Sequence, residues 1–372
     1  MLWQNRNSHM QIRETVADHV EFLGGGGGRN SNLELFRIIT MLVIIAHHYV
    51  VNSDLLSLVR ESPSLGTPDI FLLIWGWGGK TGINCFVLIT GYFMCRSKIT
   101  ALKYGKLLGE VYFYKILFFL IFWITGYSVF SVKEFIKVLF PFWTVRDNFT
   151  GCFLLFYLFI PFLNKLVHTL TEKEHVLLTS LCLFIYTILP SFVNAKVGYS
   201  YVTWFMVLYL MASYIRLYPK NIFENACRWG FLLIGAILCS WMSVIALAWI
   251  GHRIGKPYLT YFFVSDSNKV LAVATALCAF LFFKNLNIKQ SRLINTVAAS
   301  TFGVLLIHAN SDTMRQWLWG DLLNNAGWYR SPFIYLHAAI SVLGVYIVCT
   351  VIDMIRRQIC KKLFYRVNIN VC

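Results

Sequence analysis

From Leu33 onward the chain alternates long apolar runs with short polar breaks. Ten runs stand out, at about 33–51, 71–94, 108–126, 149–166, 176–190, 201–217, 229–250, 270–284, 294–310 and 332–355. A helix that crosses a bilayer needs about 20 mostly apolar residues. The pattern predicts an all-α integral membrane fold of about ten transmembrane helices. Local start signals agree with it. Ser31-x-x-Glu34 and Thr171-x-x-Glu174 read as capping boxes just ahead of the first and fifth runs. Ser131-x-x-Glu134 opens a short amphipathic segment that Pro141 ends. There Val132, Phe135, Ile136 and Leu139 share one face, and Lys133, Glu134 and Lys137 the other. This predicts an interfacial or re-entrant helix roofing an outward-facing cavity.

Composition narrows the class. Of 372 residues 58% are hydrophobic and 13% charged, against about 25% charged in an ordinary soluble domain. Such a chain cannot cover itself with a polar surface, which excludes a soluble enzyme, a disordered protein and a fibrous repeat. The net charge of +16 first suggests nucleic acid as a partner. The distribution of Lys and Arg offers another explanation. With both termini inside, 20 of the 33 basic residues fall on inner segments, 10 on outer loops and 3 within runs. A two-to-one bias fixes both termini as cytoplasmic by the positive-inside rule, and nucleic acid is no longer needed.

The ends differ from the middle. Residues 1–30 carry mixed charges and then five glycines, Gly24 to Gly28, and predict a flexible tail. A translated purine-rich ribosome-binding region would read this way, which would put the native start near Asn30. Residues 31–356 form the membrane domain, and 357–372 a short basic cytoplasmic tail. The ten cysteines form no CxxC pair or Cys/His cluster, so they read as reduced structural residues with no metal site.

Polar groups inside a span are costly and are functional candidates by default. The first run holds Glu34, Arg37, His47 and His48. Arg37 and His48 are eleven residues apart, which puts them on one helix face about 16 Å apart along the axis. Arg37 then lies near the cytoplasmic end and His48 in the outer half. His47 points away and reads as a hydrogen-bonded interface residue near a helix end. Glu34 reads equally as the third residue of the capping box. Glu110 and Lys115 interrupt the third run but are not helix neighbours, and His308 sits beside Asn310 near the outer end of the ninth.

These residues carry a resemblance. The string Leu33-Glu34-Leu35-Phe36-Arg37 followed by His48 resembles the first span of the membrane acyltransferase-3 family, whose multi-pass members acylate sugars of exported polysaccharides. Four further strings are similar to family motifs and occur in family order: FVLITGYF (Phe86–Phe93), CFLLFYLFIPFLN (Cys152–Asn164), YLMASYIRLY (Tyr209–Tyr218) and FGVLLIH (Phe302–His308). Where the family often has an Arg-x-x-Arg pair at the start of span three, this chain has Lys103-x-x-Lys106.

The resemblance implies an acetyl-CoA-dependent O-acyltransferase of the bacterial cell membrane. Its partners would be membrane lipids, acyl-CoA and a carbohydrate acceptor. Arg37, Lys103 and Lys106 would hold the CoA phosphates. His48, with Glu34 and Arg37, would form the catalytic set, His48 acting as general base or forming an acyl-histidine. Thr90 and His308 would bind substrate, although a Thr90 hydroxyl bonded back into its own helix is the plainer expectation and His308 reads equally as a packed, hydrogen-bonded histidine. The competing class is a transporter or flippase of lipid-linked sugars, which ten helices also suit. The two halves show no self-similarity of the kind inverted repeats would leave.

Overall fold

The computed structural model describes residues 30–142, 148–193, 195 and 197–366, and among them helix is the only regular secondary structure. The expected tail at 1–30 lies, apart from Asn30, outside the described residues. Seven helices are long and apolar enough to cross a membrane: Ser31–Val51, Thr67–Met94, Ala101–Ile124, Phe149–Thr169, Glu172–Val193, Ala226–Arg253 and Ile334–Lys362. Two apolar helices are shorter, Tyr201–Leu217 and Val270–Lys284. A further pair, Arg292–His308 and Asp312–Trp328, meets at a bend of 96°. Every one of the ten apolar runs therefore falls on a helix, and seven of those helices have full spanning length.

The elements that position the site are α1 (Ser31–Val51), α2 (Leu55–Glu61), α3 (Thr67–Trp75), α4 (Gly79–Met94), α5 (Ala101–Ile124), α6 (Val132–Leu139) and α7 (Phe149–Thr169). Next come α8 (Glu172–Leu183), α9 (Tyr201–Leu217), α10 (Ala226–Arg253), α11 (Val270–Lys284), α12 (Arg292–Ala298), α13 (Thr301–His308), α14 (Asp312–Arg315) and α15 (Ile334–Arg366). Because α15 runs to Arg366, the expected tail from 357 begins as helix. Apolar side chains remain in register there through Ile359, so nothing ends the helix at Arg356.

Two of the three capping signals behave as the sequence suggests. The Thr171 N–H donates to Glu174 Oε2 at 2.8 Å, and Ser131 Oγ accepts from the Glu134 N–H. At α1 the cap lies one residue earlier. The Asn30 side chain accepts from the N–H groups of Asn32 and Leu33. Ser31 is thereby freed to bond Asn295, and Glu34 to pair with Arg37. Asparagine is as good an N-cap as serine, so its position upstream decides the helix start.

Side-chain contacts give the helix directions. Ser31 and Asn32 at the start of α1 bond Asn295 and the backbone of Leu286 and Ile288, while His48 near its end bonds His308 at the end of α13. Helices α1 and α13 thus run the same way. Helix α4 runs against α1: the backbone of Gly79 lies against the His47 ring, and that of Gly82 against Ile44. Helices α4, α7 and α9 run together. Lys80 reaches Tyr201, the Asn84 side chain accepts from Trp204, Tyr92 accepts from Arg216, and Asn164 bridges Met94 to Tyr209. At Gly91 an added Cβ would sit 3.0 Å from that of Ala212, so this glycine permits the close α4–α9 approach.

Helix α6 turns back along α5. Phe135 packs against Phe119 with ring centroids 5.5 Å apart, and the Tyr112 hydroxyl donates to the Leu139 carbonyl at 2.9 Å. Val132 is 64% exposed on its outer side.

Candidate functional site

The site is built where α1 and α13 converge. His48 lies three residues before the end of α1, and His308 is the last residue of α13. Their rings lie 5.1 Å apart, and His48 Nδ1 is 3.0 Å from His308 Nε2. His308 Nδ1 lies 2.6 Å from the Val304 carbonyl, one turn back on its own helix. A carbonyl only accepts, so Nδ1 of His308 carries the proton and its Nε2 is bare. That bare nitrogen accepts from Nδ1–H of His48. The second nitrogen of His48, Nε2, is left with its lone pair and no hydrogen-bond partner among the described residues. His308 is fully buried, whereas His48 is only partly so. A chain of two bonds thus fixes both tautomers and presents a basic imidazole nitrogen on a half-buried residue.

His47 belongs to the packing. Its Nδ1 faces the Gly76 carbonyl at 2.5 Å, and a Cβ added at Gly79 would lie 2.2 Å from its ring. Gly79, at the start of α4, therefore leaves room for this ring.

The opposite end of α1 carries the charged group. Arg37 Nη1 pairs with Glu34 Oε1 at 2.9 Å, and the guanidinium lies over the Phe93 ring at 5.9 Å. Glu34 is 4% exposed and Arg37 partly open. Lys103 is buried, its Nζ donating to Ser97 Oγ at 3.2 Å and to the Lys98 carbonyl at 2.9 Å. Lys106, one turn on, is half-buried and makes no hydrogen bond or ion pair among the described residues. Arg37 through Phe93 and Lys103 through Ser97 and Lys98 thus border the same α4–α5 loop without touching each other.

Thr90 donates to the Phe86 carbonyl at 2.9 Å, the back-bonded state that needs no ligand. His308 has both ring nitrogens engaged, so it is placed to orient His48 and offers no free atom to a sugar.

The family model of the acyltransferase-3 family, described as an acyltransferase domain, matches residues 30–353. The chain belongs to this family. It is an acyltransferase of multi-pass membrane character. No curated protein and no solved structure matches the chain.

Two features of this acyltransferase escape the sequence. Glu110 finds its partner on α15: Arg356 Nη2 pairs with Glu110 Oε1 at 2.8 Å and with Asp353 Oδ1 at 2.8 Å, and Tyr114 donates to that same Asp353 oxygen at 2.8 Å. The cluster welds α5 to α15. Gly303 of α13 lies so close that an added Cβ would sit 2.3 Å from Asp353 Oδ1. Partners 246 residues apart leave no local spacing signal. The second is Arg315, within electrostatic reach of both His48 and His308. By sequence it is simply one of the ten outer-loop basic residues, and a bend of 96° separates its helix from the one that ends at His308.

Proposed function

We propose that the protein moves an acyl group, acetyl by default, from cytoplasmic acyl-CoA to a hydroxyl of an extracytoplasmic or lipid-linked sugar. The observation that carries the reading is the His48–His308 pair, set about 16 Å along α1 from the Glu34–Arg37 ion pair. The family match supplies acyl transfer as the reaction class.

His48 Nε2 takes the proton of the acceptor hydroxyl as that oxygen attacks the thioester carbonyl carbon. The C–S bond then breaks, and the imidazolium returns the proton to the leaving thiolate. His308, held by Val304, keeps the His48 Nδ1 proton in place and shares the charge that His48 acquires. Attack by Nε2 itself, giving an acyl-histidine, uses the same geometry. At the other end Arg37, oriented by Glu34, binds the CoA phosphates together with Lys103 and Lys106. This division of roles needs ten spans with both termini cytoplasmic. The helix directions favour that count, because helices from odd-numbered apolar runs face one way and those from even-numbered runs the other at each contact described. A bacterial cell membrane is the corresponding location.

Incubating the purified protein with acyl-labelled CoA and cell-envelope glycans tests the reading. Ester-linked label on the glycan is expected. Export of glycan without labelling would replace acyl transfer by transport.

A further inference from the structure

The short loop ahead of α11 carries Asp266, whose side chain is 37% exposed. Its two oxygens are used unequally. Oδ1 accepts from the Ser267 N–H at 2.9 Å, the Tyr199 hydroxyl at 3.3 Å and the Tyr201 hydroxyl at 3.5 Å, and lies 3.7 Å from Lys80 Nζ. Oδ2 has no hydrogen-bond partner among the described residues and is open to solvent. Buried groups hold the loop in place. The Ser267 carbonyl accepts from the Asn84 side chain at 2.7 Å, and Asn84 Oδ1 accepts from Trp204 Nε1 at 2.9 Å. Ser267, Asn84 and Trp204 are all fully buried. The Ser267 hydroxyl lies 2.7 Å from that of Tyr199. Polar side chains inside a bundle of spans are costly, so several of them fixing one open carboxylate point to a use for it. The carboxylate stands at the histidine end of the bundle. Lys80 follows Gly79, whose backbone lies against the His47 ring, and the His47 and His48 rings are 5.8 Å apart.

We infer that Asp266, fixed by Lys80, Tyr199 and Tyr201, is an acceptor-sugar subsite at the histidine end, its Oδ2 accepting hydroxyls of a neutral sugar. The inference rests on the acyl-transfer reading and gives the acceptor a place in it. A sugar hydroxyl is a neutral donor, and a carboxylate oxygen binds it by a charge-assisted hydrogen bond. The Lys80 ammonium already balances the Asp266 charge, so a neutral ligand is matched better than a cationic one. A metal ion would need further ligands, and no group of three His, Cys, Asp or Glu side chains stands together among the described residues. With Oδ1 held by three donors and an ammonium, Oδ2 is preorganised, and binding a hydroxyl there costs little side-chain entropy. A sugar chain held by Asp266 lies at the end of the bundle where His48 Nε2 takes a hydroxyl proton.

The test is equilibrium binding of tritium-labelled neutral oligosaccharides, released from cell-envelope glycans, to the full chain in phospholipid nanodiscs. Saturable binding is expected. Asp266→Asn should weaken it at least about tenfold. The amide oxygen of that variant still accepts from Ser267 and the tyrosines, while its nitrogen donates where Oδ2 accepted. Tyr199→Phe removes one donor, leaves the charge, and should weaken binding about threefold. It also guards the test against a folding defect in Asp266→Asn. Glu134→Gln, at an exposed carboxylate on α6, should change nothing. Lost affinity at the native melting temperature supports the subsite. Native affinity in a folded Asp266→Asn or Tyr199→Phe chain, or no saturable binding by the native chain, would overturn it. Binding needs no acyl donor. Sugar binding without acyl transfer would therefore remove the reaction and keep the subsite, and acyl transfer with an unchanged acceptor KM in Asp266→Asn would do the opposite.

Discussion

His48 and His308 together do what neither residue does alone. A lone histidine at a helix end has two tautomers and free rotation about its side-chain bonds. Here the Val304 carbonyl fixes His308, and His308 fixes His48. His308→Ala should lower kcat by about 10- to 100-fold, a part of the usual worth of an acid–base residue, and leave the donor KM near its normal value. A matched rise in KM would mean that His308 contacts substrate. Arg37→Ala should do the reverse and raise the donor KM, because the carboxylate of Glu34 positions it away from the reacting atoms. Steady-state kinetics with varied CoA ester separates the two. Much of this was legible in the sequence. The eleven-residue spacing of Arg37 and His48 is a property of one helix, so one helix sufficed to read it. The partner of His48 was not legible, since it comes from 260 residues away. The sequence picked His308 out by its place in a span and left it open between the acceptor and a packed, hydrogen-bonded role. Only the contact shows both its nitrogens in use.

At the scale of elements, what matters is how helices are held at fixed levels. The Glu110–Arg356–Asp353–Tyr114 cluster joins α5 to α15, and Gly303 brings α13 against it. Removing one member of a buried ion cluster leaves uncompensated charge and costs about 3–5 kcal/mol. Arg356→Ala should therefore lose that much stability, read as a fall in melting temperature in detergent, and Arg356→Lys less. Gly303→Ala pushes a Cβ into the Asp353 carboxylate and should cost about 1–3 kcal/mol. It should also reduce turnover, because α13 carries His308 at its other end. The apolar runs of the sequence located α5, α13 and α15. They could not pair Glu110 with Arg356, because ion pairing between helices follows packing and leaves no trace in local spacing. The start of α1 shows the opposite limit, where two adjacent capping residues competed and the upstream Asn30 prevailed.

For the whole molecule, charge and helix direction give the same arrangement. The net charge of +16 includes basic residues near the α4–α5 loop and the start of α12, at the end of the bundle where α1 begins. Orientation can be read directly in a chain whose native cysteines are replaced. Single cysteines at Lys98 and Lys289 should react with an impermeant maleimide only after permeabilisation. Those at Ser64 and Tyr258, both exposed near the histidine end, should react in intact cells. The reverse pattern would invert the donor and acceptor sides.

The central claim is that His48 Nε2 moves the proton in acyl transfer. Its most direct test is the turnover of purified His48→Gln with acyl-CoA and a glycan acceptor, beside a melting curve of the same sample. Glutamine keeps a hydrogen bond toward His308 but supplies no base. A loss of about 100- to 10,000-fold in kcat with an unchanged melting temperature is expected. Turnover within a few-fold of the native enzyme would contradict the account.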